Sequence, residues 1–130
     1  MFDFLYAYNY WALAFLRIVL GLLFIAHGWP KLKDLKTAAS NFSAMGFKPG
    51  ALWGTIAALA EVFGGLALLT GMAAQTAAVI LTMELVVIIV WRLGRGDKFV
   101  GGYELDLLLL AAMMFLATQD IAASSFGIFI

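Results

Sequence analysis

Four long apolar stretches dominate this sequence, and they leave the chain few structures to adopt. They lie near residues 11–28, 51–70, 73–91 and 99–118. Each approaches the roughly 20 residues that an α-helix needs to cross a bilayer at about 1.5 Å per residue. Because hydrocarbon offers no partners to backbone polar groups, such stretches fold as helices. The sequence therefore predicts an all-α integral membrane four-helix bundle, formed as a single domain over residues 1–130.

The composition agrees with a membrane protein and excludes several functions. Hydrophobic residues make up 65% of the chain and charged residues only 12%, too few to coat a soluble domain of this size. Eight acidic and eight basic side chains balance, so no basic excess indicates a nucleic-acid partner. The chain has no cysteine, which removes disulfides, thiolate metal sites and thiol redox chemistry.

Apart from Arg17, the basic side chains are confined to two connections between the stretches. Four lysines lie between the first two stretches, and Arg92, Arg95 and Lys98 lie between the last two. Positively charged loops tend to stay on the cytoplasmic side of a membrane. We therefore expect both basic loops to be cytoplasmic and both termini to be outside. The expected location is the inner or plasma membrane of the cell.

Part of the first basic loop is amphipathic. Leu32, Leu35, Ala39 and Phe42 recur at helical spacing, with lysines and an aspartate on the other side. The pattern predicts a short helix over about residues 31–43 that lies in the membrane interface. A solvated loop with incidental periodicity is the alternative.

Three ionisable residues, Arg17, Glu61 and Glu84, lie deep inside the apolar stretches. A charge at the centre of a bilayer costs about 2.5–3.5 kcal/mol on insertion scales, so such side chains should face the interior of the bundle. We expect Arg17 to pair with Glu61, and with Glu84 as a second partner at similar depth. The bulky neighbours of Glu84 make it the weakest of the three candidates. A purely structural role for these charges is the alternative reading.

Small residues on one face of a membrane helix let neighbouring backbones approach closely. The face of the second stretch that carries Glu61 is rich in such residues, and the opposite face is bulky and suits lipid. The face of the first stretch that carries Arg17 also contains small residues. We assign helix packing to the glycines on these faces, which are Gly21, Gly28, Gly54, Gly64 and Gly65.

A second polar cluster is expected near the cytoplasmic mouth of the bundle. His27 and Lys31 are one helical turn apart, and Glu104 enters the fourth stretch at the same level. Residues two apart on a helix point about 200° apart, so Glu104 and Asp106 cannot both face the interior. We predict that Glu104 faces inward and that Asp106 faces the interface or a partner. A single histidine excludes bis-histidine haem within one chain, and we predict neither haem nor a metal site.

Three segments resemble the DoxX family of small four-helix membrane proteins. They are LRIVLGLLFIAHGWPKL, LAEVFGGLALLTG and GGYELDLLLLAA, which begin at Leu16, Leu59 and Gly101. The resemblance covers about residues 16–118 and implies an oxidoreductase subunit, since relatives are linked to quinone-dependent sulfur oxidation, terminal quinol oxidases and redox-stress defence. Glu84 belongs to no motif of the family. The family-like positions are Arg17, His27, Gly28, Lys31, Glu61, Gly64, Gly65, Gly102 and Glu104.

Three functions compete at this point, and the residues leave open whether the chain is itself catalytic. The first is a membrane subunit that binds a quinone or similar apolar redox molecule and works with a partner enzyme, such as a respiratory complex. The second is a small transporter or lipid-handling protein. The third is a scaffold that stabilises a larger membrane complex, and the outward apolar stripes also leave room for self-association. The candidate quinone site comprises Arg17, His27, Lys31, Glu61, Glu84 and Glu104.

Overall fold

The structure is a computed structural model that describes residues 1–119, and within this range every regular element is a helix. A short 3-10 helix, Asp3–Tyr8, leads into α1 (Asn9–Lys33), α2 (Leu35–Ala44), α3 (Gly50–Thr70), α4 (Ala74–Arg95) and α5 (Glu104–Ala117). In the described part of the chain, four helical stretches are long and apolar enough to cross a membrane, namely Asp3–Lys33, Gly50–Thr70, Ala74–Arg95 and Phe99–Ala117. The predicted all-α fold with four apolar helices is confirmed. The C-terminal tail that we expect outside lies beyond the described residues.

The end of α1 and the start of α2 are set by charged residues. α1 continues through Pro30 to Lys33, farther than the first predicted stretch. Its last turn carries Lys31 and Lys33, cations that suit the negative end of a helix. α2 begins directly after Asp34, whose side chain accepts hydrogen bonds from the hydroxyl and the backbone N–H of Thr37. These bonds favour the carboxylate, so the pKa of Asp34 lies below its ordinary value.

α2 occupies the place of the short helix predicted over about residues 31–43, and it packs against α3. Ala38 is its buried residue. A Cβ atom built on Gly54 of α3 would lie 3.2 Å from backbone atoms of Ala38. The indole N–H of Trp91 donates to the carbonyl oxygen of Met45 at 3.0 Å. This bond ties the residue after α2 to the last turns of α4.

α1 and α3 are antiparallel and meet at glycines. A Cβ atom built on Gly21 would lie 2.7 Å from the carbonyl oxygen of Gly65, and one built on Gly65 would lie 2.7 Å from that of Gly21. A Cβ atom on Gly28 would lie 2.7 Å from the Cβ atom of Glu61. Any side chain at these positions would push the helices apart. Gly64 lies on another side of α3, against the side chain of Leu81 in α4.

The connection between α4 and α5 is irregular. It contains a short helical segment, Phe99–Tyr103, which is broken at Gly101, where φ is +74°. The regular part of the fourth span is therefore only the 14 residues of α5. The Arg92 guanidinium donates to the carbonyl oxygen of Gly102 at 2.6 Å and holds the broken segment against the last turn of α4.

The two ends of the bundle differ in charge. We call the end that carries Lys31, Lys33, Arg92 and Arg95 the basic end, and the other end the far end. A closely packed apolar core lies between the middle of the bundle and the far end. It is formed by Leu13, Leu20, Phe24, Leu68, Ala74, Ala78, Leu81, Leu85, Leu109, Met113 and Leu116. Bulky residues of α3 are exposed on the outer surface, as the stripe pattern predicts: Ile56, Leu59, Phe63 and Leu66.

Candidate functional site

A cavity of about 200 Å³ lies inside the bundle near the basic end. Residues of α1, α4 and α5 form most of its wall, and α3 contributes one side chain. Its polar lining residues are His27, Lys31, Glu61, Glu84, Arg92 and Asp106, and its apolar ones are Leu23, Phe24, Leu85, Ile88, Leu105 and Leu109. An apolar cavity with a few convergent polar groups is the usual form of a small-molecule site. Four predicted site residues line it, and Arg17 and Glu104 do not.

Lys31 and Glu61 form an ion pair across the contact between α1 and α3. The ammonium nitrogen of Lys31 lies 2.9 Å and 2.7 Å from the two carboxylate oxygens of Glu61. The Glu61 side chain is 5% exposed and that of Lys31 is 34% exposed. Gly28, one turn before Lys31, brings α1 close to Glu61. The prediction that Arg17 pairs with Glu61 is wrong.

Arg17 lies instead at the far end, beside the C-terminus of α3. The contacts of Gly21 with Gly65 and of Gly28 with Glu61 fix the antiparallel register of α1 on α3. In this register Arg17 is level with the last turn of α3. It lies eleven residues from Gly28 along α1, a distance of about 16 Å. Arg17 and Glu61 are therefore both inside the bundle, but they lie at different depths.

The Arg17 guanidinium caps α3. Its Nη1 donates to the carbonyl oxygen of Leu68 at 2.5 Å and to that of Leu69 at 3.2 Å. These carbonyls belong to the last turn, where the helix itself supplies no further N–H donor. A cation at this end also interacts favourably with the helix dipole. Arg17 is 4% exposed, and its Nε has no hydrogen-bond partner within the described part of the chain.

Arg17→Met is expected to lower the free energy of unfolding by about 2–4 kcal/mol, because two carbonyl groups lose their donor at roughly 1–3 kcal/mol each. Thermal unfolding of the purified protein in a single detergent measures the loss. Arg95→Met is the control, since the Arg95 side chain is 54% exposed, and it should leave the melting temperature nearly unchanged. Equal destabilisation by the two substitutions would contradict the capping role.

Glu84 lies in the cavity beside Glu61, not at the periphery of the bundle. Both carboxyl groups line this cavity and are close neighbours in it. Within residues 1–119, Glu61 pairs with Lys31 and Asp106 pairs with a cation of α4, whereas Glu84 forms no ion pair. Its bulky neighbours along α4 make it the weakest candidate by sequence, yet its side chain lines the same cavity as that of Glu61. Glu84 is thus the cavity carboxyl that lacks a cation partner of its own.

His27 lines the cavity from α1. Its Nδ1 lies 2.7 Å from the carbonyl oxygen of Leu23. A carbonyl oxygen only accepts hydrogen bonds, so Nδ1 carries a proton. In the neutral ring Nε2 then keeps a lone pair, and His27 can accept a hydrogen bond from a ligand.

The two carboxylates at the start of α5 take the reverse of their predicted places. Asp106 lines the cavity, and its carboxylate lies 3.2 Å from Nε of Arg92. Glu104 is exposed and accepts a hydrogen bond from the backbone N–H of Gly101 at 3.1 Å. Because the helix is broken at Gly101, α5 starts at Glu104, and the carboxylate of this first residue is used at the break. The prediction that Glu104 faces inward is wrong, and Asp106 is the cavity residue that it missed.

Arg92 connects the cavity to the surface of the basic end. Besides Asp106 and the carbonyl oxygen of Gly102, it approaches the carboxylate of Asp97 at 4.0 Å. Asp97 also pairs with Arg95 at 2.6 Å, and this bond lowers the pKa of Asp97. The guanidinium of Arg95 lies over the ring of Trp91, 4.3 Å from its centroid. The charged groups around Arg92 at the basic end thus neutralise one another.

Comparison with known proteins places this geometry in context. The sequence model of the DoxX family matches residues 12–93, a segment that contains Lys31, Glu61, Glu84 and Arg92 but ends before Asp106. The chain is also 31% identical over 102 residues to the protein named "Putative oxidoreductase CatD" of Bacillus subtilis (strain 168). That alignment covers 78% of this chain and 74% of the relative. No solved structure matches the chain.

Proposed function

The chain belongs to the DoxX family of membrane proteins, and we propose that it binds a quinone in the cavity and works with a partner enzyme that exchanges electrons with it. The observation that carries the proposal is the group formed by Lys31, Glu61 and Glu84. It places an ion pair and a carboxyl group that forms no ion pair within the described residues in a cavity whose remaining wall is two-thirds apolar. The similarity to a relative named as an oxidoreductase agrees with a redox role in general terms.

A quinone carbonyl oxygen needs hydrogen-bond donors, and the cavity can supply two. Lys31 has three N–H groups and directs two of them at Glu61, which leaves one for a ligand. Glu84 lies in the same cavity and forms no ion pair within the described residues, and a protonated carboxyl group can donate a hydrogen bond. The O–H group of a protonated Glu84 would be the second donor.

Reduction of a quinone to a quinol takes two electrons and two protons. The electrons have to come from a partner, because the chain offers neither cysteines for an iron–sulfur cluster nor two histidines for a haem. One proton can come from the carboxyl group of Glu84. His27, whose Nε2 can take up and release a proton, is placed to deliver the other. The chain would then bind and orient the quinone and supply protons to it.

The basic end is proposed to face the cytoplasm, across the cell membrane from both termini. The loops at this end carry most of the lysines and arginines, and such loops are retained on the cytoplasmic side. The cavity lies nearer to this end. A partner enzyme that exchanges electrons with the bound quinone would therefore dock from the cytoplasm.

Glu84→Leu is expected to weaken quinone binding about tenfold, since it removes one hydrogen bond of about 1.4 kcal/mol from the site. Glu84→Gln should bind nearly as well as the wild type, because an amide also donates, but it cannot release a proton during reduction. Affinity is measured by calorimetric titration of a naphthoquinone into the protein in nanodiscs. Activity is measured as quinone reduction in native membranes that contain the partner.

The matched control is Glu104→Leu, which removes an exposed glutamate that does not line the cavity. It should leave quinone affinity within about twofold of the wild type, a change near the error of such titrations. Loss of binding in Glu104→Leu together with normal binding in Glu84→Leu would contradict the placement of the site.

The two other functions raised by the sequence receive less support. A transporter needs a route across the membrane, whereas the cavity is bounded toward the far end by the core that includes Phe24, Leu85 and Leu109. Proton flux into liposomes that is lost in Glu61→Gln would favour transport nevertheless. A scaffold needs no cavity that holds a carboxyl group such as that of Glu84, which forms no ion pair within the described residues. It would show normal turnover per assembled complex in Glu84→Leu.

A further inference from the structure

Residues of two helices, α1 and α5, form the rim of the cavity. Of its twelve lining residues, His27 on α1 and Leu105 on α5 are exposed, and the others are buried or half-buried. α1 packs extensively along α3, and α5 packs along α4, whereas α1 and α5 make little backbone contact with each other. The cavity therefore opens between α1 and α5.

The depth of this opening places it inside the membrane. His27 lies one turn deeper than Lys31, about 6 Å along α1. The exposed side chains of Lys33 and Arg95 mark the level of the headgroups, where long cationic side chains reach water. Leu105 is 47% exposed, and an exposed leucine at the rim suits hydrocarbon. The opening thus faces the boundary between headgroups and acyl chains in the leaflet at the basic end.

We propose that the ligand is an amphiphile whose polar head occupies the cavity and whose hydrocarbon tail leaves between His27 and Leu105 into this leaflet. This inference rests on the proposed function and adds the ligand's chemical class and its path. The cavity volume of about 200 Å³ suits a head group alone, since sites for whole drug-sized ligands are about 300–1,000 Å³. The polar residues surround the head, and Leu23, Ile88 and Leu105 supply the apolar side on which a tail can lie.

The experiment compares two ligands with the same head. One is 2-methyl-1,4-naphthoquinone, and the other carries a tail of four isoprene units on the same ring. Both are titrated into the full-length protein in nanodiscs. Leu105→Trp narrows the opening. Leu108→Trp is the matched control, because Leu108 is on the same helix, is 66% exposed and does not line the cavity.

We expect Leu105→Trp to weaken binding of the tailed quinone at least about tenfold more than it weakens binding of the tailless quinone, each relative to the wild type. Leu108→Trp should bind both like the wild type. Leu105→Phe replaces Leu105→Trp if the latter fails to retain the wild-type melting temperature.

The outcomes separate the two proposals. If the wild type binds neither quinone, the proposed function is wrong. Normal binding of the tailed quinone by Leu105→Trp, or equal weakening of both ligands, leaves a quinone site in place and overturns the tail path. Binding of the tailless ligand alone by the wild type also overturns it.

Discussion

Gly65→Ala is expected to lower the free energy of unfolding by about 3 kcal/mol, at the upper end of the cost of overpacking a core. The added Cβ atom would lie 2.7 Å from the carbonyl oxygen of Gly21 and 2.7 Å from a side-chain atom of Ile25. A backbone carbonyl cannot rotate away as a side chain can, so α1 and α3 have to separate. Unfolding by SDS in mixed micelles, followed by circular dichroism, measures the change.

Gly94→Ala is the matched control for this substitution. Gly94 is also within a helix, but a Cβ atom built there would meet no atom within 4 Å. Alanine is the better helix former by about 1 kcal/mol, so this variant should be as stable as the wild type or more stable. The close contact of α1 with α3 would be disproved by similar stability of the two variants.

Lys31→Met is expected to be the most disruptive single change in the cavity, with a loss of about 2–4 kcal/mol in the free energy of unfolding. Removing one partner from a buried ion pair costs about 3–5 kcal/mol, because a buried charge is left without its counter-charge. We place the loss somewhat lower because the Lys31 side chain is 34% exposed. Quinone binding should also fall, since Lys31 is one of the two proposed donors.

A double variant separates the ion pair from other effects of the substitution. Lys31→Met combined with Glu61→Gln leaves no uncompensated charge and should recover most of the stability, giving a coupling energy of about 2 kcal/mol. Lys33→Met changes an exposed lysine of the same helix and should be neutral. If the double variant were as unstable as the sum of the single changes, Lys31 would not stabilise the protein through Glu61.

The sequence predicted which residues face inward but not which of them meet. Helical spacing placed Glu61 on a face with small residues, and that face is buried in the structure. Spacing carries no information on how far one helix slides along another. The Gly21–Gly65 contact sets that position, and it brings Lys31 to Glu61 and moves Arg17 to the end of α3.

The predicted orientations of Glu104 and Asp106 are reversed in the structure for a different reason. A helical wheel assumes a continuous helix, and the fourth stretch is broken at Gly101. The glycine pair at Gly101 and Gly102 was the available sign of a break. With a new helix beginning at this break, Glu104 lies at the helix start and not on a continuous inward face. Glu84 is the weakest candidate by sequence because its neighbours along α4 are bulky. Bulky neighbours do not reveal that a single polar residue among them faces a cavity.

The apolar core at the far end also decides where the membrane voltage falls. Moving one elementary charge through the whole field costs about 2.3 kcal/mol per 100 mV. Glu61 lies about 16 Å along α3 from its start at the basic end, and the core that includes Leu68 fills the space beyond it. A proton exchanged between the cavity and the basic end crosses only the part of the field that lies before the core. A proton taken up at this site from the basic end would therefore cross only part of the membrane potential, whereas a charge that crossed the whole bundle would cross all of it.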